Sequence, residues 1–194
     1  HDNFQWQVYK KCLCLLLVTL LMLFSATAVA DHPFDGMLYY EDSTYYVGID
    51  MQPGEYVLVS SSDYGGYFCV STDANQEDII FNGIFDTNSI ITVERGEYVK
   101  LSRCVAVKSS DFYGEYTIKK TNYGTMLKVG YGYDLAPGTY RVKSDPSSDY
   151  DGYYCIYNSS RQDKIVSNDL FTGSTYVTVT QGQYLVLSRC CIVE

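Results

Sequence analysis

Between Asp31 and Glu94 the chain has twelve acidic residues and neither lysine nor arginine. Nucleic acid is bound through a basic footprint, so this stretch, in a chain of net charge −9, excludes it as a partner. Anionic lipid is disfavoured for the same reason. Histidine is almost missing: His1 and His32 are the only two, and both precede the repeated region described below. No Ser–His or Cys–His nucleophile can therefore form there, and without a C-x-x-C pair a zinc site has no ligand set. The chain reads as non-enzymatic and free of cofactors. Four prolines stand against 15 glycines and 21 tyrosines, and no stretch after Ala30 carries a helical period. That composition predicts strands joined by tight turns.

One long apolar run exists, at the start. Lys10 and Lys11 precede "CLCLLLVTLLMLF", and "SATAVA" ends at Ala30. A charged, then apolar, then small-residue order is that of a secretory signal peptide over residues 1–30, cut before Asp31. The alternative is an uncleaved membrane anchor, because Cys12 to Ala30 is nineteen mostly apolar residues. With cleavage, the expected location is extracellular and no membrane contact remains.

The rest of the chain is written twice. "VGIDMQPGEYVL" (Val47–Leu58) matches "YGYDLAPGTYRV" (Tyr131–Val142) at an offset of 84, and "YFCV" (Tyr67–Val70) matches "YYCI" (Tyr153–Ile156) at 86. That second offset holds without a gap to Cys104 and Cys190, closing "GEYVKLSRC" and "GQYLVLSRC". A duplicated unit accounts for this, with one β domain over 31–107, a linker over 108–125 and a second β domain over 126–194. "GTYRVKS" alternates with period two, and short strands at even spacing predict an all-β tandem of small antiparallel sandwiches or rolls. Arg95-Gly96 and Gln181-Gly182 read as hairpin turns, Asn82-Gly83 as a type I′ turn, and "QPGE" as a type II turn. "EYTIKK" (Glu115–Lys120) reads as a further strand. Arg103 and Arg189, inside apolar strands, are expected to pair with Asp50 and Asp134.

Five cysteines follow the leader. Cys69 and Cys104 lie 35 apart, as do Cys155 and Cys190. In an exported chain such spacing reads as one disulfide per unit, Cys69–Cys104 and Cys155–Cys190, each contributing about 3–4 kcal/mol by loop closure. Buried apolar thiols are the alternative. Cys191 is left over and should face away from Cys190 on the same strand.

V-G-x-D-x-x-P-G-x-Y, an aromatic-cysteine strand, "DIIFN" or "DKIVSN", and a closing "LSRC" together resemble a repeat domain of exported proteins in Gram-positive bacteria. The resemblance covers Met37–Val107 and Met126–Val193 and implies a secreted, surface or lipoprotein setting with no established activity or ligand. Many such relatives carry tryptophan near the cysteines, whereas the single tryptophan here is Trp6.

Loop tyrosines carry the functional expectation. Tyr64, Tyr67, Tyr150 and Tyr153 flank the acidic, serine-rich loops "SSDYGGY" and "SDPSSDYDGYY", where rings with polar tips suit an extracellular protein or glycan ligand. Asp145, Asp149 and Asp151, beside Gly152, present the oxygens of a calcium loop. A binding or adhesion module of the cell exterior is the leading reading, and a passive envelope component without its own ligand is the alternative. The oligomeric state is not encoded in any feature of the chain.

Overall fold

In a computed structural model, residues 33–193 are described. The leader, its cut site and the two histidines lie outside them. Met37–Glu194 forms one compact unit; of a separate unit over residues 1–36, only the turn Pro33–Gly36 is described. The expected all-β class is what the chain adopts.

The first half carries β1 (Tyr39–Tyr40), β2 (Ser43–Tyr46), β3 (Gly54–Ser60), β4 (Gly66–Ser71), β5 (Ile79–Phe85), β6 (Asn88–Val93), β7 (Tyr98–Ser102) and β8 (Cys104–Lys108). They form two antiparallel sheets, ordered β1-β8-β3-β6 and β2-β7-β4-β5. The second half carries β9 (Thr125–Lys128), β10 (Gly138–Ser144), β11 (Gly152–Tyr157), β12 (Ile165–Phe171), β13 (Ser174–Val179), β14 (Tyr184–Ser188) and β15 (Cys190–Val193). Its sheets are β13-β10-β15 and β12-β11-β14-β9. In the first half Tyr56 and Leu58 of β3 meet Phe68 and Val70 of β4 in one core that also holds Ile91, Leu101 and Ala106. Two sheets pressed face to face bury alternate residues of each, the sandwich arrangement.

Burial also explains where alternation fails. Val57, Ile90 and Val107, on the opposite face of β3, β6 and β8, are fully buried as well. A helix, α1 (Ser109–Glu115), packs against β3 and β8, with Phe112 buried. This helix corrects the expectation of none: seven residues are too short to display an amphipathic period. "EYTIKK" is not a strand; β9 begins only at Thr125. In β10, which lacks such a cover, Val142 is buried while Arg141 and Lys143 are exposed, as the alternation indicates.

The turns are reassigned. β6 and β7 do not pair with each other, nor do β13 and β14; the Gly96 and Gly182 turns carry the chain from one sheet to the other. Asn82-Gly83 lies inside β5, where Gly83 lets the ring of Phe68 come close: a Cβ there would stand 2.9 Å from Phe68 Cε1. The true hairpins are β4–β5 and β11–β12. Their loops match, with Gln76 and Gln162 both at φ 58° and a register shift just after Val70 and after Ile156.

"PG-x-Y" now has a physical meaning. The Tyr56 hydroxyl donates back to Gln52 O at 2.7 Å and that of Tyr140 to Ala136 O at 2.8 Å, so each ring latches its own turn. The aspartate of "G-x-D" serves the strand before it. Tyr46 N donates to Asp50 Oδ2 (2.9 Å) and Lys128 N to Asp134 Oδ2 (2.8 Å). Asp50 and Asp134 therefore hold backbone amides, not Arg103 and Arg189.

Candidate binding loops and the junction of the halves

Those two arginines share a left-handed backbone with Gln76 and Gln162 alone among the described non-glycine residues. A single residue separates β7 from β8 and β14 from β15, although each pair lies in different sheets. The chain turns that corner at Arg103 (φ 55°) and Arg189 (φ 53°), in left-handed conformations that side chains with a Cβ disfavour. Each corner clamps one tyrosine loop at both ends. Arg103 O accepts from Ser61 N (3.0 Å), and Arg103 Nε donates to Gly65 O (2.9 Å). Arg189 O accepts from Asp145 N (2.8 Å), and Arg189 Nε donates to Asp151 O (2.9 Å).

Inside each clamp a serine presents the tyrosine. Ser62 Oγ accepts from Tyr64 N, and Ser148 Oγ from Tyr150 N, at 3.1 Å in both halves. The rings stand in solvent, Tyr64 88% and Tyr150 75% exposed. Tyr64 borders a depression of about 700 Å³ lined by Val59, Ser60, Ser61, Ser62, Asp63, Asp86 and Thr87. Tyr67 and Tyr153 go elsewhere. They are half-buried on β4 and β11, against Cys69 and Cys155, with Asn82 and Asn168 beside their hydroxyls. Burial raises both phenols, and the asparagines only partly offset it. The four tyrosines thus divide into two displayed rings and two strand residues.

The aspartates named for calcium are not gathered. Asp145 Oδ1 accepts from Ser147 N and Ser147 Oγ, fixing its own turn, while Asp151 Oδ1 accepts from Thr172. Among the described residues no three His, Cys, Asp or Glu side chains converge as a metal would require.

The disulfide expectation is corrected. Cys69, Cys104, Cys155, Cys190 and Cys191 are free, buried thiols. Strand alternation is the cause. On β4, Phe68 and Val70 face the core that contains Cys104, so Cys69 points out of the opposite face with Tyr67. Cys104 instead packs on Gly66, where a Cβ would lie 3.0 Å from its own, and its thiol donates to Tyr67 O at 3.6 Å. Cys190 repeats this against Gly152 and Tyr153 O. Cysteine ends both phrases because the corner admits only a small apolar side chain beside that glycine. Burial pushes the Cys104 and Cys190 thiols up to about 11, so neither supplies a thiolate near neutrality. Cys191 is buried next to Tyr123.

The halves meet through residues that sequence reasoning missed. Asn88 of β6 imitates a strand: Nδ2 donates to Met126 O (2.7 Å), and Oδ1 accepts from Met126 N (3.2 Å) and from Thr125 Oγ1. Lys128 of β9 reaches Glu55 of β3 at 2.7 Å and lies 4.1 Å from the Tyr133 ring centre. Glu55 also accepts from Ser109 and Tyr184. Burial alone would raise this carboxyl, but those donors outweigh it and hold it below its ordinary value. Asp134, bonded by Tyr113, Ile118 and Lys128 N, stays raised because burial dominates. Arg161 forks onto Glu97 at 2.8 and 3.2 Å. The cations missing from the acidic first half are therefore supplied in part by the second. Four of these residues depart from the repeat, with Thr139 corresponding to Glu55, Ser174 to Asn88, Gln183 to Glu97 and Asn75 to Arg161, whereas Asp134 matches Asp50.

No family model and no curated protein matches the chain. Among the described residues, no helix is long and apolar enough to cross a membrane.

Proposed function

We propose that this chain is an exported, non-enzymatic binding module of the bacterial cell exterior, made of two copies of one β unit, which engages a glycan or protein through Tyr64 and Tyr150. One observation carries the reading: the same serine turn and the same arginine corner display an exposed tyrosine in both halves, although residues elsewhere have diverged to form the junction. A ring held in solvent by a strained, braced loop lowers the ordering cost of binding. Export rests on Lys10–Ala30 and on the resemblance to exported repeat domains, since the unpaired thiols lend it no support. Glu55 and Lys128, and Glu97 and Arg161, are spent on one another across the junction, which leaves the loops as the available chemistry. The alternative, a passive envelope component, draws support from that junction, which needs no ligand to be satisfied.

Glycan-array and pull-down screens on the chain lacking residues 1–30 test the proposal. Saturable binding that falls at least about tenfold on Tyr64→Ala or Tyr150→Ala, the loss of about 1.4 kcal/mol, is the expected result. Silence in both screens, or binding indifferent to both substitutions, refutes it and favours the passive role.

A further inference from the structure

The partner class can be narrowed. The depression beside Tyr64 has one ring, a row of hydroxyls, two carboxylates and a single apolar side chain, Val59. Protein interfaces centre on packed apolar or aromatic anchors sealed from water, and a lone ring over a hydroxyl-rich floor offers no such centre. It does offer a stacking surface with hydrogen-bonding groups around it, which is what a pyranose ring requires. Asp63 and Asp86 beside Tyr64, and Asp149 and Asp151 beside Tyr150, turn away anionic polymers.

The junction adds a second element. Asn88 to Met126, Glu55 to Lys128 and Glu97 to Arg161 are bonds between the halves, and among the described residues no buried side-chain polar atom lacks a partner. Halves joined in this way hold Tyr64 and Tyr150 at one separation instead of letting them swing on a linker. A fixed pair of matching tyrosine turns, each braced by its serine and its arginine corner, gains from a ligand that presents the same unit again and again, because the second contact then costs little further freedom.

Resting on the function proposed above, we infer that the ligand is a neutral polysaccharide and that Tyr64 and Tyr150 bind it together, as one bivalent surface. The junction is the device that makes the pairing effective; the tyrosines are the contacts.

Chitin and cellulose films, with their soluble tetrasaccharides, provide the test. On one of the films the chain should half-saturate at a concentration about 100-fold or more below its Kd for the matching tetrasaccharide. Tyr64→Ala and Tyr150→Ala should each bring film binding back to the tetrasaccharide level, and the double variant should not bind. Both rings are exposed, so these substitutions leave the fold intact, within about 0.5 kcal/mol. Tyr176→Ala, an exposed tyrosine of β13 outside the repeated turn, should change nothing. Equal affinity for film and tetrasaccharide, or single variants that halve capacity without changing affinity, overturns bivalency and leaves the binding role standing. Binding by neither film nor tetrasaccharide overturns the polysaccharide assignment, and film binding untouched by the double variant overturns the assignment and the role together.

Discussion

Arg103 sits at a left-handed corner that glycine would accept more readily, and its guanidinium braces the Tyr64 loop. Two effects can be separated by substitution. In Arg103→Ala the bond from Nε to Gly65 O is lost, and because Arg103 is exposed the loss is that of an ordinary solvated hydrogen bond, about 1 kcal/mol. The backbone strain remains, since alanine has a Cβ. In Arg103→Gly the same bond is lost, but about 1–2 kcal/mol of strain is relieved. The extra freedom of glycine in the unfolded chain removes about 0.5–1 kcal/mol of that relief. The glycine variant should therefore lie within about 0.5 kcal/mol of the parent, and the alanine variant about 1 kcal/mol below it. At this chain length that is about 2–4 °C in Tm for alanine and at most about 2 °C for glycine. Thermal melts followed by circular dichroism measure the order. Ligand binding should weaken in both variants, because both lose the brace, so stability and binding part company in Arg103→Gly. An alanine variant as stable as the glycine variant would show that the corner is not strained, and the explanation of the repeated "SRC" would fail.

Other substitutions probe other links of the argument. Asn88→Ala orphans the N–H and C=O of Met126; each buried orphan costs about 1–3 kcal/mol, lessened here because a groove of about 360 Å³ lets water reach them. A loss of about 2–3 kcal/mol in urea unfolding is expected, and a change below about 0.5 would mean that Asn88 does not join the halves. Gly66→Ala would put a Cβ 2.4 Å from Phe85 Cζ and 3.0 Å from Cys104 Cβ, so overpacking should cost about 1–3 kcal/mol, measured in the same way. Glu55 is held below its ordinary value of 4.5, so the stability it contributes is present above that value and lost as pH falls through its lower folded value. Glu55→Gln should thus be less stable at neutral pH and flatter below pH 4.5 in acid-unfolding curves. An unchanged acid limb would remove Glu55 from the junction's ion pair. Thiol titration of the folded chain with a dye disulfide should proceed only as fast as unfolding, and all five described cysteines should react in denaturant without reductant.

What the residues reveal unaided is whatever obeys a short period or a local turn rule. The all-β class, the exposed and buried sides of "GTYRVKS", and the paired tyrosine loops all follow from neighbours within a few positions. What they conceal is which strand lies beside which. "SIITVERGEYVKLS" contains two strands and a glycine turn, yet whether that turn folds the strands together or passes the chain to the opposite sheet depends on partners far along the sequence. Cys69 and Cys104 misled for the same reason. Equal spacing in the two halves does not say which face each thiol takes; the parity of strand positions does, and Phe68 and Val70, both strongly apolar, claim the core side and leave Cys69 the other.

The junction suggests a better way to read such a chain. Where two copies agree, as at Ser62-Asp63-Tyr64 and Ser148-Asp149-Tyr150, they keep what each unit does alone: turning, latching and displaying a ring. Where they disagree in charge, as at Glu55 against Thr139, or in side-chain reach, as at Asn88 against Ser174, the positions concerned are contacts between the two halves. The charge imbalance obeys the same logic. Lys128 and Arg161 of the second half pair with Glu55 and Glu97 of the first, so part of the acidity of the first half is answered inside the molecule. Changes of charge between the halves, at Glu55, Glu97 and Arg161, thus coincide with the contacts between them, and the matched exposed turns carry the tyrosines proposed as ligand contacts.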